Sequence, residues 1–226
     1  MKEKVSIPFM LLGILFVVCL LMANLLETKI IQIGSITATA GLMVFPISYI
    51  INDCIVEVWG YRKARLIIWI GFAVNFFAIA LTQLAILMPA APFWESEAAF
   101  NSIYSMGPRI VIGSFCAFLV GSFLNAYIMS RMKVASKGKH FSLRAIVSTL
   151  VGESADSLIF FPIAFAYIIP IDKLFLLIVT QACLKSLYEV IILPVTIYVV
   201  NRVKKIEGVD TYDQTISFNP FNIKDM

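Results

Sequence analysis

Histidine is almost missing from this chain: His140 is the only one, and it falls in a basic, polar stretch. That excludes histidine triads and H-E-x-x-H metal sites from the apolar segments, and leaves His140 itself expected in solvent. Charge is scarce too, at 14% of residues. A soluble domain of 226 residues, 60% of them apolar, would lack the polar surface to cover such a core. The four cysteines (Cys19, Cys54, Cys116, Cys183) lie in separate apolar segments with no C-x-x-C pair. Neither a disulfide framework nor a metal is therefore expected. There is no P-loop and no Gly-rich nucleotide fingerprint, so ATP hydrolysis by that route is excluded, and no cofactor is called for. The net charge of +4 reads as a topology signal, with no nucleic acid as partner.

What the chain does have is hydrophobic length, with a mean hydropathy of +0.91. A membrane-crossing helix needs roughly 20 mostly apolar residues. Six such runs fit, at about 7–26, 41–59, 65–89, 109–131, 144–169 and 173–200. The expected fold is an all-α membrane protein with one six-helix domain over 1–203 and a loosely ordered tail over 204–226. The first run is read as a retained helix, since Asn24-Leu25-Leu26-Glu27 is no small-residue cleavage site. With the N-terminus in the cytoplasm, 14 of the 18 Lys and Arg fall on the inner side. Only Lys29, Arg109 and Lys173 fall outside, and Lys185 lies within a span. The positive-inside rule then places both ends in the cytoplasm.

The outer connections differ in kind. Ile30 to Ala40 has two short alternating runs around Gly34-Ser35, which fits a small β-hairpin at the outer interface or an irregular entry into the second span. Pro92 to Met106 carries Phe93, Trp94, Phe100 and Tyr104 among polar residues, the pattern of a short amphipathic helix with aromatics at headgroup level. In the fourth span Gly113, Ala117 and Gly121 recur every four residues. Small residues at that interval let another backbone approach closely. Packing inside the bundle is the preferred reading, with a homo-oligomer left open.

The informative residues are the ionisable ones inside the spans, each costing roughly 2.5–3.5 kcal/mol at mid-helix. They are Asp53 and Glu57 in the second span, Glu153 and Asp156 in the fifth, and Lys185 and Glu189 in the sixth. At about 1.5 Å rise per residue, most of them reach similar depths. Their spacing also puts each set on one face: Tyr49, Asp53 and Glu57; Glu153 and Asp156; Gln181, Lys185 and Glu189. A polar cavity enclosed by the second, fifth and sixth spans follows. Asn52, Asn75, Gln83 and Asn125 are available to add hydrogen bonds. Lys185 serves either as a structural ion pair with Asp156 or Glu189 or as a ligand contact, and both readings stay open. Glu57 is expected to pair with Arg62 or Arg65 at the interface, and Arg109 to meet lipid headgroups.

At this point the residues carry a resemblance. The run from Phe45 to Arg65, FPISYIINDCIVEVWGYRKAR, resembles F-P-x-x-Y followed by D-x-x-x-E-x-[YW]-G-Y-[KR]-x-A-R of the queuosine precursor transporter family, also called VUT or YhhQ. The run from Arg144 to Phe161, RAIVSTLVGESADSLIFF, resembles that family's R-x-x-x-S-T-x-x-[GS]-[EQ]-x-x-D-[ST]-x-x-F. The likeness covers about residues 8–203. It implies a multi-pass protein of the bacterial cytoplasmic membrane that takes up 7-deazaguanines: the cyano or aminomethyl queuosine precursor, or queuine. Where some relatives carry Gln, this chain has Glu153. On this reading Asp156 or Glu153 grips the guanine edge. Asn52, Gln181 or Lys185 holds the carbonyl, and Tyr49, Phe160 or Tyr188 stacks on the ring. Asp53 or Glu189 would meet an aminomethyl group. Two other readings stay open: a substrate-binding subunit that needs a separate ATPase module, and a small intramembrane enzyme acting through its carboxylates.

Overall fold

The computed structural model describes residues 5–34, 36–213 and 216–221. Lys2, Lys4, Lys224 and Ser35 lie outside them. Among the described residues, six helices are long and apolar enough to cross a membrane. Helix α1 (Ile7–Leu26) opens with Ser6 as its cap, the hydroxyl accepting from the Phe9 amide, and with Pro8 in its first turn. Then come β1 (Ile30–Ile33) and β2 (Ile36–Thr39), paired antiparallel with Ile30 opposite Thr39. The expected hairpin is therefore present, turning at Gly34 with a positive φ of 63°. Its end tucks inward, and Ala38 and Thr39 are fully buried.

A short 3₁₀ turn, Ala40–Met43, leads into α2 (Phe45–Trp59), and α3 (Tyr61–Leu87) follows after the single residue Gly60. Gly60 has φ 84°, a conformation that costs a side chain-bearing residue dearly. The reversal is so tight that Arg62, Lys63 and Arg65 lie inside α3, whereas the sequence reading began the third span at residue 65. Next are α4 (Glu97–Tyr104), the expected short helix, and α5 (Gly107–Ala135). They are followed by α6 (Phe141–Phe165) and α7 (Ile171–Glu207). Pro162 in the last turn of α6 and Tyr167 at φ 65° end that helix at Phe165, earlier than the expected 169. His140 is exposed, as expected.

Two packing features position the centre. Helices α5 and α6 meet backbone to backbone through glycines. A Cβ on Gly121 would sit 2.7 Å from the Gly152 carbonyl, and one on Gly152 would sit 2.9 Å from the Gly121 carbonyl. The small-residue stripe thus serves contacts within the bundle, which α5 makes with α6. A Gly152→Val variant is expected to lose about 1–3 kcal/mol through overpacking, read as a lower Tm in detergent; an unchanged Tm would mean that the contact is loose. Around Phe118, the rings of Phe16, Phe45, Tyr49 and Phe72 lie 5.6–5.8 Å away, centroid to centroid. This aromatic knot fixes α1, α2 and α3 against α5. The outer faces of α3 and α7 stay apolar, with Phe77, Leu84, Ile191 and Tyr198 exposed, as lipid contact requires.

The tail departs from the expectation of loose order. Its described residues dock on α2, α3 and α5. Asp213 accepts the Tyr61 amide at 2.9 Å and the Ser130 hydroxyl at 2.6 Å. Gly60 has no side chain to cap α3, so the Asp213 carboxylate, 152 residues beyond Tyr61, does so. Arg65 donates to the Ser217 and Asn219 carbonyls, and Trp69 donates to that of Pro220. Phe218 packs on Tyr61 and Tyr127 at 5.0 Å. Polar composition alone does not show that these groups find fixed partners. An Asp213→Ala variant should lose about 1 kcal/mol of cap energy and expose the tail to protease; wild-type resistance would contradict the docking.

Candidate functional site

Residues from four helices and the hairpin close on one another at the core. Four carboxylates, Asp53, Glu153, Asp156 and Glu189, are at most 2% exposed, as are Tyr49, Asn52, Gln181 and Lys185. Glu57, expected on the Tyr49 and Asp53 face, belongs instead to a separate ion cluster. Lys185 is the hub. Its ammonium donates to Asp156 at 3.1 Å, lies 3.6 Å from Glu153, and sits 3.7 Å from the centroid of the Phe45 ring. A desolvated ammonium on a ring face gains a cation–π term in addition to its ion pairs.

Beside it is a residue the sequence reading left out. Glu27, the C-terminal cap of α1, is 3% exposed. It lies beside Lys185 and the Thr39 hydroxyl, against Gly41. Gln181 donates to Thr39 at 2.8 Å. The hairpin is what brings Glu27 inward, because its return strand sets Thr39 beside α7. A carboxylate at the very end of an apolar run was the available signal.

One turn along α2 lies a second group. Asn52 donates to Asn125 at 3.0 Å, and Asn125 donates to Thr149 at 3.3 Å. This ladder links α2, α5 and α6. Asp53 faces Glu189 there. Asn125 thus joins the centre as expected, while Asn75 pairs instead with Asn24 at 2.7 Å and Gln83 donates to the Tyr104 carbonyl at 3.0 Å. Phe160 is buried against Phe161 at 5.0 Å, beside Gly113. Tyr188 is only half-buried and, among the described residues, shares no ring contact with the group.

Many of these polar atoms lack partners within the protein. Both oxygens of Asp53 and of Glu153, the Tyr49 hydroxyl, Ser157 Oγ, Gln181 Oε1, Glu27 Oε2 and Glu189 Oε2 make no hydrogen bond. Buried polar groups are ordinarily satisfied, so this density of open acceptors marks a place built for something else to bind. An open cleft of about 320 Å³ reaches the group between α6 and α7, with Glu189 in its wall.

A third cluster closes the end of the bundle that carries the chain ends. Glu57 receives Arg144 at 2.6 and 3.1 Å and Lys204 at 2.6 Å, with Lys133 at 3.8 Å. These cations come from α5, α6 and α7, so the expected pairing with Arg62 or Arg65 is corrected. Arg65 is committed to the tail. Asp210 joins the cluster through Lys133 and Lys204. Burial works to raise the Asp210 carboxyl, but hydrogen bonds from the two lysines outweigh it and hold it below the usual range. Its contribution is therefore full above the ordinary carboxylate range and lost as pH falls through the lowered value. Arg109 is also corrected. It donates to the Ile163 and Ala166 carbonyls at 2.8 and 2.6 Å, capping the end of α6 that Pro162 weakens.

Six long apolar helices among the described residues, packed around a buried, charged and incompletely bonded centre, define a polytopic membrane transporter. The family described as "Putative vitamin uptake transporter" matches residues 39–199, and the chain belongs to it. Relatives carry a more specific name. A "Probable queuosine precursor transporter" of Bacillus subtilis is 28% identical over 173 residues, 76% of each chain. The "Queuosine precursor transporter" of Escherichia coli is 28% identical over 143 residues, 63% of this chain and 62% of that one. A "Probable queuosine precursor transporter" of Haemophilus influenzae is 31% identical over 134 residues, 58% and 53% of the two chains. No solved structure is significantly similar. The spans and the bacterial relatives agree on a multi-pass protein of the bacterial inner membrane.

Proposed function

We propose that this chain carries queuosine precursors, 7-deazaguanine bases, into the cell as a stand-alone carrier rather than as an enzyme or an ATPase-dependent subunit. The observation that carries the reading is the surplus of open acceptors around one ammonium. Neither oxygen of Glu153 accepts a hydrogen bond, although Lys185 lies 3.6 Å away as its counter-charge, and Gln181 Oε1 accepts none either. A deazaguanine offers the complement: a ring N–H and an exocyclic amine for a carboxylate, and a carbonyl for Lys185, Asn52 or Gln181. Tyr49 and Phe160 are the flat partners within the bundle, with Tyr188 at its margin. The relatives' names support the same substrate class.

In this reading both chain ends face the cytoplasm. The cluster of Lys133, Arg144 and Lys204 on Glu57, at the end holding the chain ends, supports that orientation.

Purified protein in liposomes, without ATP, should take up labelled 7-cyano-7-deazaguanine saturably. Asp156→Asn and Glu153→Gln should each cut uptake at least about tenfold, the worth of one charge-assisted hydrogen bond. Near-normal uptake in both variants would sink the residue assignment. Recovery of a chemically altered base would point to an enzyme, and uptake only with an added ATPase would point to a binding subunit.

A further inference from the structure

Asp53 and Glu189 are the two carboxylates of the core that have no cation. Asp53, on α2, is 0% exposed and Glu189, on α7, is 2% exposed, and their side chains oppose each other. The nearby cations are engaged elsewhere. From α7, Lys185 is taken by Asp156 and Glu153 of α6. On α2, Glu57 is neutralised by Arg144 and Lys204, while Cys54 adds only a buried thiol. Asn125 of α5 and Thr149 of α6, bonded to each other, are the neutral groups that face Asp53 and Glu189 respectively, so among the described residues the pair is met by dipoles and by no cation. Glu27, at the end of α1, lies with Thr39 and Lys185.

Two apposed carboxylates with no cation do not both stay ionised in a medium of low dielectric. A single proton between them replaces the repulsion with a short, charge-assisted O–H···O⁻ bond. The Tyr49 hydroxyl, fully buried and without an acceptor, lies at Gly121 beside Asp156, so it belongs to the Lys185 group and leaves the pair of Asp53 and Glu189 to itself. Glu189 forms part of the wall of the cleft between α6 and α7, beside Thr149 and the unpartnered Ser186 hydroxyl, so the pair is not closed in on every side.

We propose that Asp53 and Glu189 form a proton-binding site that couples transport to the proton gradient, one proton per base. The proposal rests on the carrier reading above. The proton bound from outside leaves the pair a monoanion, and its release inside leaves a dianion that must be reloaded before the next cycle.

The test uses purified full-length protein in liposomes with an internal pH dye, the membrane potential clamped at zero. Under about a tenfold inward proton gradient, 7-cyano-7-deazaguanine should accumulate about tenfold and the interior should acidify as it enters. A protonophore should abolish the accumulation. Asp53→Asn and Glu189→Gln should show no base-linked proton signal, whatever flux they retain. Accumulation that ignores the proton gradient, or follows a sodium gradient instead, overturns the proposal while leaving the carrier reading intact. If no base is carried at all, the carrier reading fails, and a substrate-free measurement still decides the pair. In the infrared difference spectrum between acid and alkaline protein, a protonated-carboxyl band should weaken in each variant. Its persistence in both variants would overturn the proton site.

Discussion

Glu57→Gln should cost about 3–5 kcal/mol, the penalty for stranding a buried charge partner, and lower Tm by an amount on the order of 10 °C. Arg144 is 1% exposed and makes its bidentate pair with this carboxylate. Lys204 and Lys133 converge on the same group. Neutralising Glu57 leaves three cations facing one another, with Asp210 at the margin as their remaining counter-charge. Because these groups tie α2 to α5, α6 and α7, the variant should also lose closure at that end of the bundle. Labelling of the buried Cys54 thiol, one turn from Glu57 on α2, would then quicken. An unchanged Tm together with unchanged labelling would show that the cluster holds nothing closed.

The second large effect is at Lys185. Lys185→Met removes the ammonium shared by Asp156 and Glu153 and leaves two buried carboxylates unpaired. Folded yield and uptake should both collapse. The informative variant is the triple one, Lys185→Met with Asp156→Asn and Glu153→Gln. Replacing a buried ion triad with neutral groups is well tolerated in general, so folded yield should recover. Uptake should stay at least about tenfold down, because the acceptors that hold the base are gone. This separates the two roles that sequence spacing left open for Lys185. Recovery of uptake along with folding would make the triad purely structural.

Much of this arrangement was legible in the sequence because it depends on local periodicity. Gln181, Lys185 and Glu189 recur every four residues and land on one buried stripe of α7. The alternating runs beside Gly34 form the hairpin, and the glycines of the fourth span meet α6. What escaped was set by tertiary contacts between distant segments. Proximity along the chain suggested Arg62 or Arg65 for Glu57, but the reversal at Gly60 sends α3 back along the bundle. The partner Arg144 is 87 residues away. The same reversal leaves the Tyr61 amide uncapped until Asp213 reaches it. Glu27 looked like the end of a helix and became part of the centre only because the hairpin folds Thr39 against α7. Gly60, Tyr61 and Arg65 of the W-G-Y-R-K-A-R run, of which the sequence marks Arg65 only as an inner-side cation and a partner for Glu57, shape the α2–α3 reversal and hold the tail.

The central claim is that the acceptors around Lys185 bind a deazaguanine base. Thermal stability with and without ligand tests it most directly, since a ligand that binds only the folded state raises Tm by mass action. 7-Cyano- or 7-aminomethyl-7-deazaguanine should raise the Tm of the wild-type protein in a saturable way, and the shift should vanish in folded Asp156→Asn. A wild-type Tm that neither base moves, or an equal shift in Asp156→Asn, would contradict the account.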